Sequence, residues 1–247
     1  ASQLSGQPQS LMAMILTYGL PFSLTLLAIL GVHELGHYVQ ARRHQLPVTL
    51  PYFIPMPFGL GTFGAFIRMR GAVENKRALF DVGVGGPIAG ALVAIPLYIL
   101  GLLMSTVSNS PAPLNRSLLV DGLIALFRPE AVGNGLLLNP VLLAARFGLI
   151  VTAINLLPVG QLDGGHIIYA ALGRRLATWI GYATIAVMAV LGFTVSPSWF
   201  VWMVFALLSG VQHAAPLNDI TPLDTRRNFA FLATAALLLS LFTVQPF

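Results

Sequence analysis

The chain has 247 residues, of which 56% are hydrophobic and 9% charged, and a formal net charge of +5. An ordinary soluble domain carries roughly 25% charged residues, so thirteen bases and eight acids cannot cover a soluble globule of this length. This excludes an ordinary soluble enzyme, a disordered chain and a nucleic-acid binder with a basic face, and makes lipid the natural solvent. Cysteine is absent, which excludes disulfides, thiolate metal sites and cysteine nucleophiles. Ala1 in place of Met reads as the start of a processed or excised fragment.

Apolar sequence runs from Leu11 to about Val32 and turns polar towards His44. Pro21 fits a first helical turn, where its missing N–H costs nothing. A helix is therefore predicted from Pro21 to Arg43, with 11–20 either a kinked extension or a separate re-entrant piece. In the segment 45–77, Pro47, Pro51, Pro55 and Pro57 forbid a helix, yet the sequence stays apolar. Gly59-Leu60-Gly61 marks a turn, and Thr62 to Arg70 reads as extended. Apolar, non-helical backbone is tolerated at membrane depth only when protein buries it or it lines a cavity, which predicts a re-entrant hairpin.

A second span is predicted over 78–104, followed by a polar outward loop at 105–137. The third span runs from near Asn139 to Pro158, and the fourth over 166–194 with a joint around Gly173-Arg174-Arg175. A tight turn at Ser196-Pro197-Ser198 leads to a short fifth apolar run at 199–211, and a sixth span covers about 228–245. The predicted fold class is an all-α polytopic membrane protein with about six transmembrane helices and a short re-entrant β-hairpin after the first. It forms one domain over 1–247, divided as 11–44, 45–77, 78–175 and 176–247. Threading the chain through these spans sends ten of the thirteen bases to one side, including Arg42, Arg43, Lys76, Arg77, Arg174, Arg175, Arg226 and Arg227. The positive-inside rule makes that side cytoplasmic or its organellar equivalent.

His33-Glu34-Leu35-Gly36-His37 is an H-E-x-x-H motif. On a helix, positions i and i+4 share a face, so two imidazoles can grip one zinc, with the Glu placed as base. Glu34 lies in an otherwise uncharged apolar stretch, where ionisable groups are costly unless paired or functional. The alternative is a pair of packing histidines beside a stray carboxylate. Catalytic zinc usually takes three protein ligands. The other histidines, His44, His166 and His213, compete for the third place with Asp81 and Asp163. Asp163 is preferred because it lies at a membrane-depth helix break bounded by Pro158 and Gly160, Gly164 and Gly165; it also suits a helix cap. Asp81 suits the first turn of span two, near the positive end of the helix dipole. Gly86 and Gly90 fit the small-xxx-small rule for close helix approach, so packing is the favoured role of that face.

His33-Glu34-x-x-His37 followed by Asn155-x-x-Pro158-x4-Asp163-Gly164 resembles the site-2 protease family of intramembrane zinc metalloproteases, over about residues 20–230. Pro57 to Arg68 and Leu217 to Asp224 look most like its cyanobacterial and chloroplast branch, which includes the plant ethylene-dependent gravitropism-deficient and yellow-green proteases. Neither a PDZ-like insert between the motifs nor the Gly-Asn-Leu-Arg motif of the plant branch is present. The resemblance implies one Zn2+ per chain on His33, His37 and Asp163, with Glu34 as catalytic base. Asn155 matches the motif Asn, which either orients substrate or the scissile carbonyl or makes a helix–helix hydrogen bond worth about 1 kcal/mol.

The expected function is hydrolysis of peptide bonds within or near transmembrane segments of membrane-protein substrates. A helical substrate hides its peptide bonds and must unwind. The hairpin residues Gly61, Phe63, Ala65, Phe66 and Ile67 suit capture of an extended segment by strand addition. The expected partners are a transmembrane substrate and the bilayer, with no nucleic acid; the location is a cyanobacterial or plastid membrane with basic loops cytoplasmic or stromal. The alternative function is a metal-ion or proton transporter using the same His/Asp cluster, although no internal repeat supports it. A zincin with Glu74 or Glu130 as third ligand is a weaker reading.

Overall fold

The computed structural model describes residues 10–55, 62–67, 71–108, 117–132, 134–208, 210 and 215–243. The chain opens with α1 (Leu11–Met14), which passes through a π turn at Ile15–Gly19 directly into α2 (Leu20–Arg43). The segment 11–20 is therefore a continuous extension of the first long helix. The π turn precedes Pro21, whose ring offers no N–H to the helical ladder, and a wider turn is a common accommodation of such a gap. Beyond α2, β1 (Tyr52–Pro55) and β2 (Thr62–Phe66) pair antiparallel, Tyr52 opposite Phe66 and Phe53 opposite Ala65. The intervening turn, including Gly61, lies outside the described residues.

The 29-residue α3 (Lys76–Met104) is N-capped by Asn75, whose Oδ1 accepts from the Ala78 N–H at 2.9 Å. Its far end is held by side chains from later in the chain. Arg128 Nη1 donates to the carbonyls of Leu102 and Leu103 at 3.0 and 3.2 Å, and Asn139 Nδ2 to that of Gly101 at 2.7 Å. These partners satisfy carbonyls that a helix terminus leaves open.

The segment 105–137 departs from the expected polar loop. After β3 (Val107–Ser108) it contains α4 (Leu118–Phe127), and β4 (Gly135–Leu136) then pairs with β3. Val120 and Ile124, one turn apart, are buried in a core with Ile29, Tyr98, Leu102, Leu142 and Leu149. Polar residues at both ends of the segment mask a ten-residue amphipathic helix whose i, i+4 spacing supplies one apolar stripe.

α5 (Pro140–Asn155) leads through the break at 156–162 into α6 (Asp163–Thr194), which is jointed at Gly173 with φ +81°. That dihedral lies in the left-handed region open to glycine, at the predicted joint. α7 (Ser198–Leu208) packs on α6 through Trp199 and Met188, and α8 (Thr225–Leu241) closes the described chain. Between α7 and α8, Leu217 and Asn218 donate their N–H groups to the carbonyls of Val73 and Glu74 at 3.0 and 2.8 Å, tying this connection to the base of the hairpin.

Among the described residues, three helices are long and apolar enough to cross a membrane: Leu11–Arg43, Lys76–Met104 and Asp163–Thr194. At 1.5 Å rise, the 16 residues of α5 extend only about 24 Å against a hydrocarbon core of about 30 Å. Large apolar side chains face outward along the long helices, including Leu92, Trp179 and Phe193, as a lipid solvent requires.

Asp81 does more than favour a helix dipole. His44 Nε2 lies 2.8 Å from its Oδ2, and Arg227 Nε donates to its Oδ1 at 2.8 Å, so this carboxylate ties the ends of α2 and α8 to α3. Arg227 also pairs with Asp224, the N-cap of α8. The Arg227 backbone N–H holds the Asp224 carboxyl below the usual carboxylate range against an opposing desolvation, and the guanidinium charge adds to the effect. A depressed folded pKa gives a contribution that is present at neutral pH and lost as pH falls through that lowered value.

Candidate active site

The α2 helix presents His33 and His37 one turn apart and buried, their ring centroids 4.8 Å from each other. α6 brings Asp163 to them from 130 residues away: Oδ2 lies 3.1 Å from His33 Nε2, and Oδ1 lies 3.3 Å from His37 Nε2. The potential ligand atoms of the three residues all fall within 4.8 Å of one another. Asn155, the last residue of α5, has its Nδ2 3.4 Å from His33 Nε2.

The donor set fits a cation. His37 Nδ1 lies 2.7 Å from the Val82 carbonyl, an acceptor, so that ring nitrogen carries the proton. In the neutral imidazole Nε2 is then a bare lone pair, facing a carboxylate oxygen. Two acceptors aimed at each other in a buried site repel, and a metal ion between them turns that repulsion into attraction. A backbone carbonyl fixing the tautomer of a ligating histidine is a recurrent outer-shell feature of metal sites. No sequence signal marks Val82 for this role, because any residue supplies a carbonyl.

Two glycines of α3 make the space. A Cβ at Gly86 would fall within 2.5 Å of the His37 imidazole, against Cδ2 and its neighbouring ring atoms, and one at Gly90 would sit 3.0 Å from His33 Nδ1. The small-residue face thus serves packing, and what packs into it is the pair of imidazoles. Gly164 and Gly165 do the same for Asp163: a Cβ would meet the Leu157 carbonyl oxygen at 2.5 Å or that of Val159 at 2.7 Å, so only glycine lets the first turn of α6 nest on the preceding loop. Gly86→Ala is expected to weaken zinc affinity by about tenfold to hundredfold, the cost of disturbing a ligand's support, with the ligands themselves intact. Equilibrium zinc titration measures this, and unchanged affinity would show that the imidazole does not need that space.

Glu34 sits between the two histidines in sequence, half-buried, and its carboxylate is hydrogen-bonded to the backbone of Ile67, just beyond the end of β2. Of the other expected hairpin residues, Phe63, Ala65 and Phe66 lie on β2. His44 is engaged with Asp81, and His166 follows Asp163 by one turn against Gly83; neither belongs to the metal cluster. His213 lies outside the described residues. Glu130 pairs with Arg128 at the opposite end of α3 from the cluster, which removes it as a third ligand.

Two buried imidazoles and a carboxylate with an adjacent glutamate, set among helices long and apolar enough to cross a membrane, are the arrangement that H-E-x-x-H metallopeptidase chemistry requires. The sequence signature of Peptidase family M50 matches residues 21–195, and the chain belongs to that family. It is 33% identical over 241 residues to the probable zinc metalloprotease EGY2, chloroplastic, of Oryza sativa subsp. indica, covering 94% of this chain and 44% of that protein. Against the probable zinc metalloprotease EGY1, chloroplastic, of Arabidopsis thaliana the identity is 32% over 240 residues, covering 92% of this chain and 43% of the relative. The probable zinc metallopeptidase EGY3, chloroplastic, of the same plant is 27% identical over 221 residues. The chain thus spans less than half the length of these relatives. Membership of a peptidase family gives the transporter reading no support.

Proposed function

We propose that this chain is an intramembrane zinc endopeptidase that hydrolyses peptide bonds within or near transmembrane segments of membrane proteins. The observation that carries this reading is the convergence of His33, His37 and Asp163 beside Glu34, inside a bundle of membrane-length helices. His33, His37 and Asp163 hold the metal. Zinc bound there supplies Lewis-acid chemistry: it brings the pKa of water towards neutrality and polarises a carbonyl. Glu34 takes the proton from the attacking water and returns it to the leaving amine. Asn155, at the edge of the cluster, orients the scissile carbonyl.

The hairpin residues Gly61, Phe63, Ala65, Phe66 and Ile67 receive the unwound substrate as an added strand. The hydrogen bond between Ile67 and Glu34 supports this, because it puts the end of β2 next to the catalytic base. Replacing Ala65 by Pro removes a backbone N–H from β2 without touching the hydrogen bond between Ile67 and Glu34. It is expected to lower cleavage by about tenfold or more, the scale of a misplaced substrate, while one zinc per chain remains. Equal turnover in wild type and Ala65→Pro would refute strand addition at this edge.

The shorter helices α5, α7 and α8 complete about six spans with the three long ones, the hairpin dips into the membrane from the basic side, and that side is cytoplasmic or stromal. The names of the relatives favour a plastid or related photosynthetic membrane. The test is metal analysis of the purified chain together with cleavage of a synthetic transmembrane peptide. The expected result is one zinc per chain and cleavage that a chelator abolishes and zinc restores. Zinc-loaded protein that leaves every such peptide intact would overturn the assignment.

A further inference from the structure

α2 and α3 run antiparallel and touch at Gly36 and Gly85, where a Cβ on Gly85 would stand 2.8 Å from the Gly36 carbonyl oxygen. On the side of this contact away from the metal centre lies a groove of about 400 Å³ between the two helices. Leu35, Val39, Ile88 and Leu92 wall it, and all four are exposed; Leu92 is 70% accessible. From Val32 to Gln40 the groove is about 12 Å long by helical rise.

Gln40 and Val84 line this groove and also a second cavity of about 380 Å³, so the two adjoin at these residues. The second cavity is bounded by Asp81, Asp224, Arg226 and Arg227. Arg227 pairs with both Asp81 and Asp224, and His44 also meets Asp81, so each of these carboxylates already has a basic partner. Arg226 is exposed and has no ion pair among the described residues, and the Gln40 amide, half-buried at the junction, has no hydrogen bond among them. Gln40 stands two and three residues before Arg42 and Arg43, at the level where basic residues mark the membrane interface. An apolar slot therefore adjoins a polar cavity, with an amide that has no hydrogen bond at the junction and, on the far wall, a guanidinium that has no ion pair among the described residues.

We propose that the α2–α3 groove and its Arg226 mouth bind one anionic membrane lipid, with an acyl chain along Leu35, Val39, Ile88 and Leu92 and the headgroup at Gln40 and Arg226. The gradient matches a lipid, whose apolar tail, polar linkage and anionic head succeed one another over the same distance. A transmembrane helix is apolar throughout that length and supplies no anion to Arg226. Basic residues at the cytoplasmic interface attract anionic headgroups. The site lies across the α2–α3 contact from the metal centre and is tested without turnover.

The absence of native cysteine permits a single fluorophore on Leu92→Cys in the full chain, in phosphatidylcholine nanodiscs. A small fraction of brominated phosphatidylglycerol should quench it at least threefold more than the same fraction of brominated phosphatidylcholine. A label on Phe193→Cys, exposed to lipid outside the groove, should show no such preference. Arg226→Gln should abolish the preference at Leu92→Cys, and Ile88→Trp, which fills the slot, should remove the excess quenching independently. Equal quenching by the two lipids at Leu92→Cys would overturn the proposal, as would a preference that survives Arg226→Gln. Shielding of the label by a transmembrane peptide in the absence of anionic lipid would also overturn it, in favour of a helix as occupant. None of these outcomes depends on whether the chain cleaves peptides.

Discussion

Glu34→Gln is expected to lower cleavage by about 10²–10⁴-fold, the usual contribution of a positioned general base, while zinc content stays at that of the wild type. The amide keeps the size of the side chain and can still accept from the Ile67 backbone, so the hairpin and helix remain in place. What it loses is the capacity to take a proton from water and pass it to the leaving amine. The proposed metal ligands His33, His37 and Asp163 are untouched. Parallel measurement of bound zinc and single-turnover cleavage separates the two effects. Retained turnover with full zinc would remove Glu34 from its role as base; joint loss of zinc and activity would recast it as part of the metal's support.

Asp163→Ala is expected to remove the metal itself. The carboxylate is the only anionic member of the cluster and contacts both imidazoles, at 3.1 and 3.3 Å. Its loss leaves two neutral histidines, and removing a direct ligand should exceed the roughly hundredfold cost of losing an outer-shell partner. Zinc should be absent after dialysis and cleavage should vanish with it, in contrast to Glu34→Gln. The fold should survive, because Gly164 and Gly165 still nest the first turn of α6 on the preceding loop. Full zinc occupancy in Asp163→Ala would require another ligand. His166, one turn further along α6, would then be the residue to examine.

The part of the site that lies on one helix was legible in the sequence. His33, Glu34 and His37 are placed by helical periodicity alone, since positions four apart share a face whatever surrounds them. The helix break around Pro158 and the joint at Gly173 were legible for a similar reason: proline and glycine act on their own backbone. The helix at Leu118–Phe127 was not, because its ten residues are flanked by polar sequence and its helicity rests on burying Val120 and Ile124 against α3 and α5. Short helices draw their stability from tertiary packing more than from propensity.

By itself, then, the sequence determined that the solvent is lipid, that one helix carries an H-E-x-x-H grip and that Asp163 stands at a break fit to face it. Those are consequences of composition and of interactions over a few residues. The tertiary structure alone decided that Asp163 meets both imidazoles, that the Val82 carbonyl sets the tautomer of His37, and that Gly86 and Gly90 are the hollows receiving the rings. It also decided that Asp81 joins α2, α3 and α8 through His44 and Arg227. Each of these depends on which helix faces which across many tens of residues. That choice is made by packing the whole bundle, and no local pattern encodes it.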